Sequence, residues 1–164
     1  MSGKLASPRD LFLQLLAQML WVERMLAFDV LPELHKQVQS ASLAALLQEH
    51  LAQTHQHVAR LESAFQALGA EAASARSAPA AAAKDQHEEV ASKIADPRLA
   101  DLFHAGAAIQ TEHLELAGYG LLLELVRALE RDDVAQSLEA NRAEDGQALE
   151  ELEKLSERLR GELR

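Results

Sequence analysis

A chain of 164 residues, 48% apolar but only 4% aromatic, can bury one core and favours helices packed on helices over a sandwich or barrel. Its 26 acidic residues against 16 basic ones give a net charge of −10, which argues against nucleic acid and anionic membranes as partners. The lack of cysteine excludes disulfides and thiolate metal sites; with no apolar signal core in Met1–Pro8 and no run near the ~20 apolar residues of a membrane span, a cytoplasmic protein is expected.

Taken in order, Ser7-Pro8-Arg9-Asp10 opens a first helix: Ser7 caps it and Pro8 fits its first position. Leu11, Leu15, Met19, Val22 and Leu26 form a stripe, with Phe12, Leu16, Leu20 and Glu23 beside it, and predict helix over about 8–38. Pro32 should kink or break it near Leu31. Ser40 to Ser42 offer the next cap, and Leu47, His50, Leu51, Thr54, His57, Val58, Leu61 and Phe65 predict a second helix over about 42–68, closed by Gly69 in the left-handed region. These two helices make an antiparallel hairpin. The crossover, 70–95, begins with an alanine-rich run read as loop or weak helix, followed by a short helix over Asp85 to Ala95. Asp96-Pro97 starts a third helix to about 129. Asp132 or Asp133 caps a fourth over about 133–160. Two hairpins joined by a long connection define an all-α, single-domain, ferritin-like four-helix bundle.

Within the third helix Glu112, Glu115 and Tyr119 share one face with Ile109 and Leu116 at its edges, so carboxylates point inward. Buried carboxylates are paired, hydrogen-bonded or metal-bound. Glu23, Thr54, His57, Glu112, Glu115, Asn141, Glu144 and Asp145 all fall near the middle of their helices. Carboxylates and imidazole at one level suit iron, manganese or zinc. The di-metal carboxylate pattern asks for Glu-x-x-His on two helices; this chain has Thr54-x-x-His57 and Asn141-x-x-Glu144 instead. The expected ligands are therefore those of a one-metal site, Glu23, His57, Glu112 and Glu144, with Thr54, Glu115, Tyr119, Asn141 and Asp145 as supporting groups or alternative ligands. A metal-free buried polar network stands beside this reading, with Glu23 paired to Arg24 or Arg142 and His57 bonded to a carbonyl or to Glu23. His50 reads as a satisfied, half-buried histidine, and His55 and His113 as surface residues.

Asp10-Leu11-Phe12, Val22-Glu23, Glu49-His50-Leu51 with Thr54, Val58-x-Arg60-Leu61-Glu62, Asp96-Pro97 and above all Glu112-His113-x-Glu115-x-Ala117-x-Tyr119-Gly120 resemble the bacterial YciE/YciF family of ferritin-like stress-associated proteins. The resemblance runs from about Ser7 to Leu155 and departs around Asn141-Arg142, where members often carry an acidic pair. It implies a ferritin-like bundle with short extra helices, a homodimer, inward polar groups at Glu23, His57, Glu112 and Glu115, and a role in stress without an assigned reaction. Two functions follow as expectations: an iron- or other metal-binding protein that handles oxidants or iron, or a metal-free helical dimer.

Overall fold

The computed structural model describes residues 4–163; the reading of Met1 to Gly3 lies outside it. Six α-helices follow one another: α1 (Pro8–Met25), α2 (Leu31–Gln37), α3 (Ala41–Ala67), α4 (Ala78–Ala91), α5 (Pro97–Ala128) and α6 (Asp132–Glu162). The caps are largely those written in the sequence. Ser7 Oγ accepts from Asp10 N (3.1 Å), Ser40 Oγ from Leu43 N (3.3 Å) and Asp96 Oδ1 from Arg98 N (2.9 Å). Gly69 sits at φ +64°, with Gly69 N donating to Gln66 O (2.9 Å) and Ala70 N to Phe65 O (3.0 Å), a Schellman closure of α3.

Two expectations are refined and one is corrected. Pro32 does not break the first helix: a π-helical turn, Leu26–Val30, joins α1 to α2, and the Leu31 N–H reaches back to Leu26 O. The wider turn accommodates a proline that lacks the next N–H and crowds the preceding carbonyls. The alanine-rich run divides: residues 70–77 are loop, and α4 begins at Ala78, ahead of the expected Asp85, with Pro79 in its first turn; alanine's helix propensity wins there, and the helix stops at Ala91. Neither Asp132 nor Asp133 caps α6. The chain enters it directly from the turn after α5, the cap position falls on Arg131, and Asp133 is held by Arg131 at 2.7 and 2.9 Å.

The hydrogen bonds at the helix ends fix the topology. Arg9 at the start of α1 donates to Leu68 O beyond the end of α3, and Arg131 before α6 donates to Ala67 O. At the opposite end Asp101, in the first turns of α5, accepts from Gln39 N (3.0 Å) and Ser40 N (2.7 Å) before α3. α3 and α5 therefore run parallel, α1 and α6 run against them, and the connectivity is up-down-down-up with α1 packed on α3 and α5 and α6 packed on the same two. α4 lies across α5 at the end of the bundle marked by Asp101, tied by Lys84 to Asp29 (3.3 Å) and by His87 to His104 (2.9 Å). Asp101 is buried, at 4% exposure, and both of its bonds hold orphan N–H groups at the entry to α3. Asp101→Ala is expected to cost about 2–4 kcal/mol of stability, read in a denaturant melt.

The core is layered. Phe12, Leu16, Leu61, Phe65, Leu122, Val126, Val134 and Leu138 fill one end. Leu26, Leu31, Leu34, Leu43, Leu47, Leu152 and Leu155 fill the other. Within the run Pro8–Gln37 an 18-residue stretch with mean hydropathy 1.3 is long and apolar enough by length and composition to cross a membrane, contrary to the sequence expectation; half of that stretch is buried inside the bundle. Between the two apolar layers lies a polar one.

Candidate metal centre

In the middle layer all four long helices turn polar side chains inward at positions where their apolar stripes would continue. α1 supplies Glu23, α3 supplies His50, Thr54 and His57, α5 supplies Glu112, Glu115 and Tyr119, and α6 supplies Asn141 and Asp145; every one is buried. Helical spacing puts them there: His50 and His57 are two turns apart, about 10 Å along the axis, and Glu112 and Glu115 are one turn apart.

Two groups of three could each converge on a cation. In the first, Glu23, His57 and Asp145 each offer an atom within 4.8 Å of the others; in the second, His50, Glu112 and Glu115 do so. His57 Nδ1 lies 3.2 Å from Glu23 Oε1 and 3.5 Å from Asp145 Oδ1, and His50 Nε2 lies 3.1 Å from Glu112 Oε1. Yet Glu23 Oε2, His57 Nδ1, Glu112 Oε2, both oxygens of Glu115 and both of Asp145 have no hydrogen-bond partner among the described residues. Eight such atoms, counting His50 Nδ1, are more than a native interior leaves bare without reason.

The electrostatics give the same picture. Burial, then the charges of Asp145 and Glu23, push the Glu112 carboxyl up to about 9. Burial and the Glu23 charge push Asp145 up to about 8. Glu115 is driven well above the usual carboxylate range by burial and by Glu23, Asp145 and Glu112 together. Each group feels the charges of the other, so the two are one electrostatic centre. No lysine or arginine among the described residues bridges to any of these four carboxylates; of the two sequence candidates for Glu23, Arg24 pairs with Glu62 at 2.7 Å and Arg142 makes no ion pair with it. Burial, together with the charge of His57, pulls the His50 imidazole down to about 4. For His57 burial also pulls down, but the adjacent Glu23 carboxylate and the charge of Asp145 outweigh it, and the net shift is upward.

A polar frame at the edge of the bundle holds the centre. Arg60 donates to both oxygens of Glu144 (2.8 and 3.0 Å) and to Asn141 Oδ1 (2.9 Å). Burial would raise Glu144, but the bonds from Arg60 and His57 prevail and hold it below the ordinary glutamate value. A carboxylate can only accept, so the 2.9 Å contact places a proton on His57 Nε2 and turns Nδ1 toward Glu23 and Asp145. Asn141 Nδ2 donates to the Tyr119 hydroxyl (2.9 Å), which donates in turn to Glu23 Oε1. One guanidinium thereby orients the imidazole through Glu144 and the glutamate through Asn141 and Tyr119.

Of the four residues expected to bind metal, Glu23, His57 and Glu112 point into the centre. Glu144 stands behind His57 with its side chain 28% exposed, and Asp145, one residue on, points inward instead. Adjacent helical residues are about 100° apart, so only one of the two can face the axis. Glu115 lies in the centre, while Tyr119 and Asn141 lie in the frame. Thr54 does neither: its hydroxyl donates to His50 O at 2.8 Å. His50, read from sequence as merely satisfied, has Nδ1 bare and joins the second group. Its signal was the seven-residue spacing to His57 on the same stripe. His55 and His113 are exposed as expected.

Fold and site together define an all-α, ferritin-like bundle with a carboxylate–imidazole layer enclosed between its four long helices. The family profile described as "Domain of unknown function (DUF892)" matches residues 7–162, and the chain belongs to that family. No curated protein matches the sequence. Among solved structures, YcfI from Rhodopseudomonas palustris is similar with a TM-score of 0.90 and 27% identity, over 93% of this chain and 97% of that one. The E. coli stress protein YciF is similar with a TM-score of 0.89 and 21% identity, over 94% and 98% of the two chains. A protein from Xanthomonas campestris pv. campestris follows at 0.76 and 18%, over 93% of each. The YciE/YciF resemblance carried by the sequence motifs is thus the one these comparisons return.

Proposed function

We propose that the protein binds two divalent cations of the first transition series, iron or manganese foremost, one in each group of three ligands. Its role would then be the handling of iron or of oxidants in a stress response. The observation that carries this reading is Glu115, 1% exposed with both oxygens bare. A metal-free network is the alternative, but it leaves the buried Glu115 carboxyl without a hydrogen-bond partner among the described residues. Four carboxylates and two neutral imidazoles balance two divalent ions in charge, and oxygen with imidazole donors suits iron, manganese or zinc. A bound redox metal would supply electron transfer to an oxidant. The chain's own contribution is to exclude bulk water with the apolar layers, to fix the His57 tautomer through Glu144 and Arg60, and to hold a proton on Tyr119 against Glu23.

Elemental analysis of protein purified without chelator tests this. About two metal ions per chain are expected. Glu23→Ala and Glu115→Ala should each lower the content, whereas Glu144→Gln should retain the ions with weaker affinity, by about 10–100-fold, because it only orients His57. Metal-free protein on purification that also takes up no iron, manganese or zinc on dialysis would overturn the proposal. We further expect a homodimer through the outer face of α1 and α5, where Leu11, Leu114 and Leu121 are exposed around Leu15; light scattering would detect it.

A further inference from the structure

A second cavity-bearing feature stands apart from the polar frame. Between α4, the π-helical turn, α3 and α5 opens a cavity of about 540 Å³, within the range of small-molecule sites. Its depth is apolar: Leu26, Leu31, Leu34, Leu47 and Leu152 face it, and at its floor are His50 and Glu112. The space exists for local reasons. Ala80 and Ala83 of α4 look across at Ala107 and Ala108 of α5, and side chains this small leave the gap between the helices unfilled. The π-helical turn, which contributes Leu26, Asp29 and Val30 to the wall, widens it further. π-helical turns often accompany functional sites.

The rim has one sign. Asp29, Glu33, Glu49, Glu88 and Glu151 line it, with Lys84 the one lysine in the lining and Lys36 paired to Glu33 at 3.3 Å. Lys84 is already engaged by Glu88 at 2.7 Å and Asp29 at 3.3 Å. The two histidines on the wall, His87 and His104, are bonded to each other at 2.9 Å. No lysine or arginine in the lining is left free for an anionic head, so a fatty-acid carboxylate would meet repulsion at the rim, where Glu49 and Glu151 have no cationic partner among the described residues. An apolar body with a positive end meets complementary charge.

We propose that this cavity binds a single-chain amphiphile with a cationic head, its alkyl chain between α4 and α5 and its head among the rim carboxylates. The proposal does not rest on the metal reading, since the walls are aliphatic and the rim acids lie outside the centre. Isothermal titration with decyltrimethylammonium, decanol and decanoate, each below its micelle-forming concentration, tests it in both as-purified and chelator-treated protein. Decyltrimethylammonium should bind at one per chain and about tenfold or more tighter than decanoate. Tetramethylammonium, which has the charge without the chain, should not bind saturably. Ala83→Trp and Ala107→Trp fill the cavity from helix faces that are not fully packed; each should weaken the amphiphile about tenfold or more with the thermal melt and metal content unchanged. Glu49→Gln with Glu88→Gln and Glu151→Gln should remove the preference for cation over anion while sparing decanol. Equal binding of decanoate, full binding by both tryptophan variants, or no saturable binding of any probe would each overturn the proposal; the last, in a dimeric protein, would give this face to a second copy.

Discussion

Glu115→Leu is expected to stabilise the metal-free protein and to abolish its stabilisation by metal. In the metal-free chain Glu115 is an unpaired carboxyl sealed among three others, with no counter-charge and no hydrogen bond. Replacing a buried ionisable group of this kind by an apolar one of similar size gains about 1–4 kcal/mol. For a chain of this length that is a rise of roughly 3–12 °C in melting temperature. With metal the order reverses. The wild type gains about 2.7 kcal/mol when free metal stands at a hundred times its dissociation constant, and the variant, missing a ligand, gains far less. Parallel thermal melts in chelator and in iron(II) or manganese(II) read both signs. A variant destabilised under both conditions would mean that Glu115 is held by interactions of its own, and the centre would not be a metal site.

The second large effect is on pH. In the metal-free protein Glu112 titrates near 9 and Asp145 near 8, against ordinary values of 4.5 and 3.8. Between those limits the folded state binds more protons than the unfolded one, so stability falls as pH rises from about 5 to about 9. His57, raised in the folded state, acts in the same direction: its contribution is present at low pH and lost as pH passes its folded value. His50 opposes at the acid end. It is held neutral down to about 4, so unfolding takes up its proton below about 6.5 and stability rises with pH from about 4 to 6.5. The metal-free protein should therefore be most stable on the acid side of neutrality. Metal must displace the protons on these carboxyls, and its affinity rises with pH. The gap in melting temperature between metal-loaded and chelated protein should widen from pH 6 to pH 8.5. An equal gap at both would show that the bound metal does not compete with protons at these carboxyls.

Much of this centre was legible before any coordinates. Glu23, His57, Glu112 and Glu115 fall on inward stripes that helical period alone reveals, and the hairpin caps Ser7, Ser40, Gly69 and Asp96 act locally, so their residues announce them. Pro32 announced a disturbance but not its form, because whether a helix breaks or swells into a π-turn depends on what the following segment packs against. Likewise the first turns of α4 arise from alanines that have propensity without a stripe, so periodicity detected the helix only from Asp85 and not from Ala78.

The choice between Glu144 and Asp145 marks the limit most sharply. Both are acidic, both are near the middle of α6, and a rotation of one residue exchanges them. That rotation is set by how α6 seats Leu138, Leu152 and Leu155 against α3 and α5, a contact between segments about a hundred residues apart in some pairs. His50 was misjudged for a related reason: its partner Glu112 lies on a diagonal helix that only the up-down-down-up arrangement brings to the same level. Sequence by itself determined the helices, their inward faces and the presence of buried acid, since these follow from backbone propensity and a period of 3.6. The tertiary structure decided which acids converge, which stand behind as supports and where a cavity opens, because rotation, level and gap width are properties of helices packed together and of no helix alone.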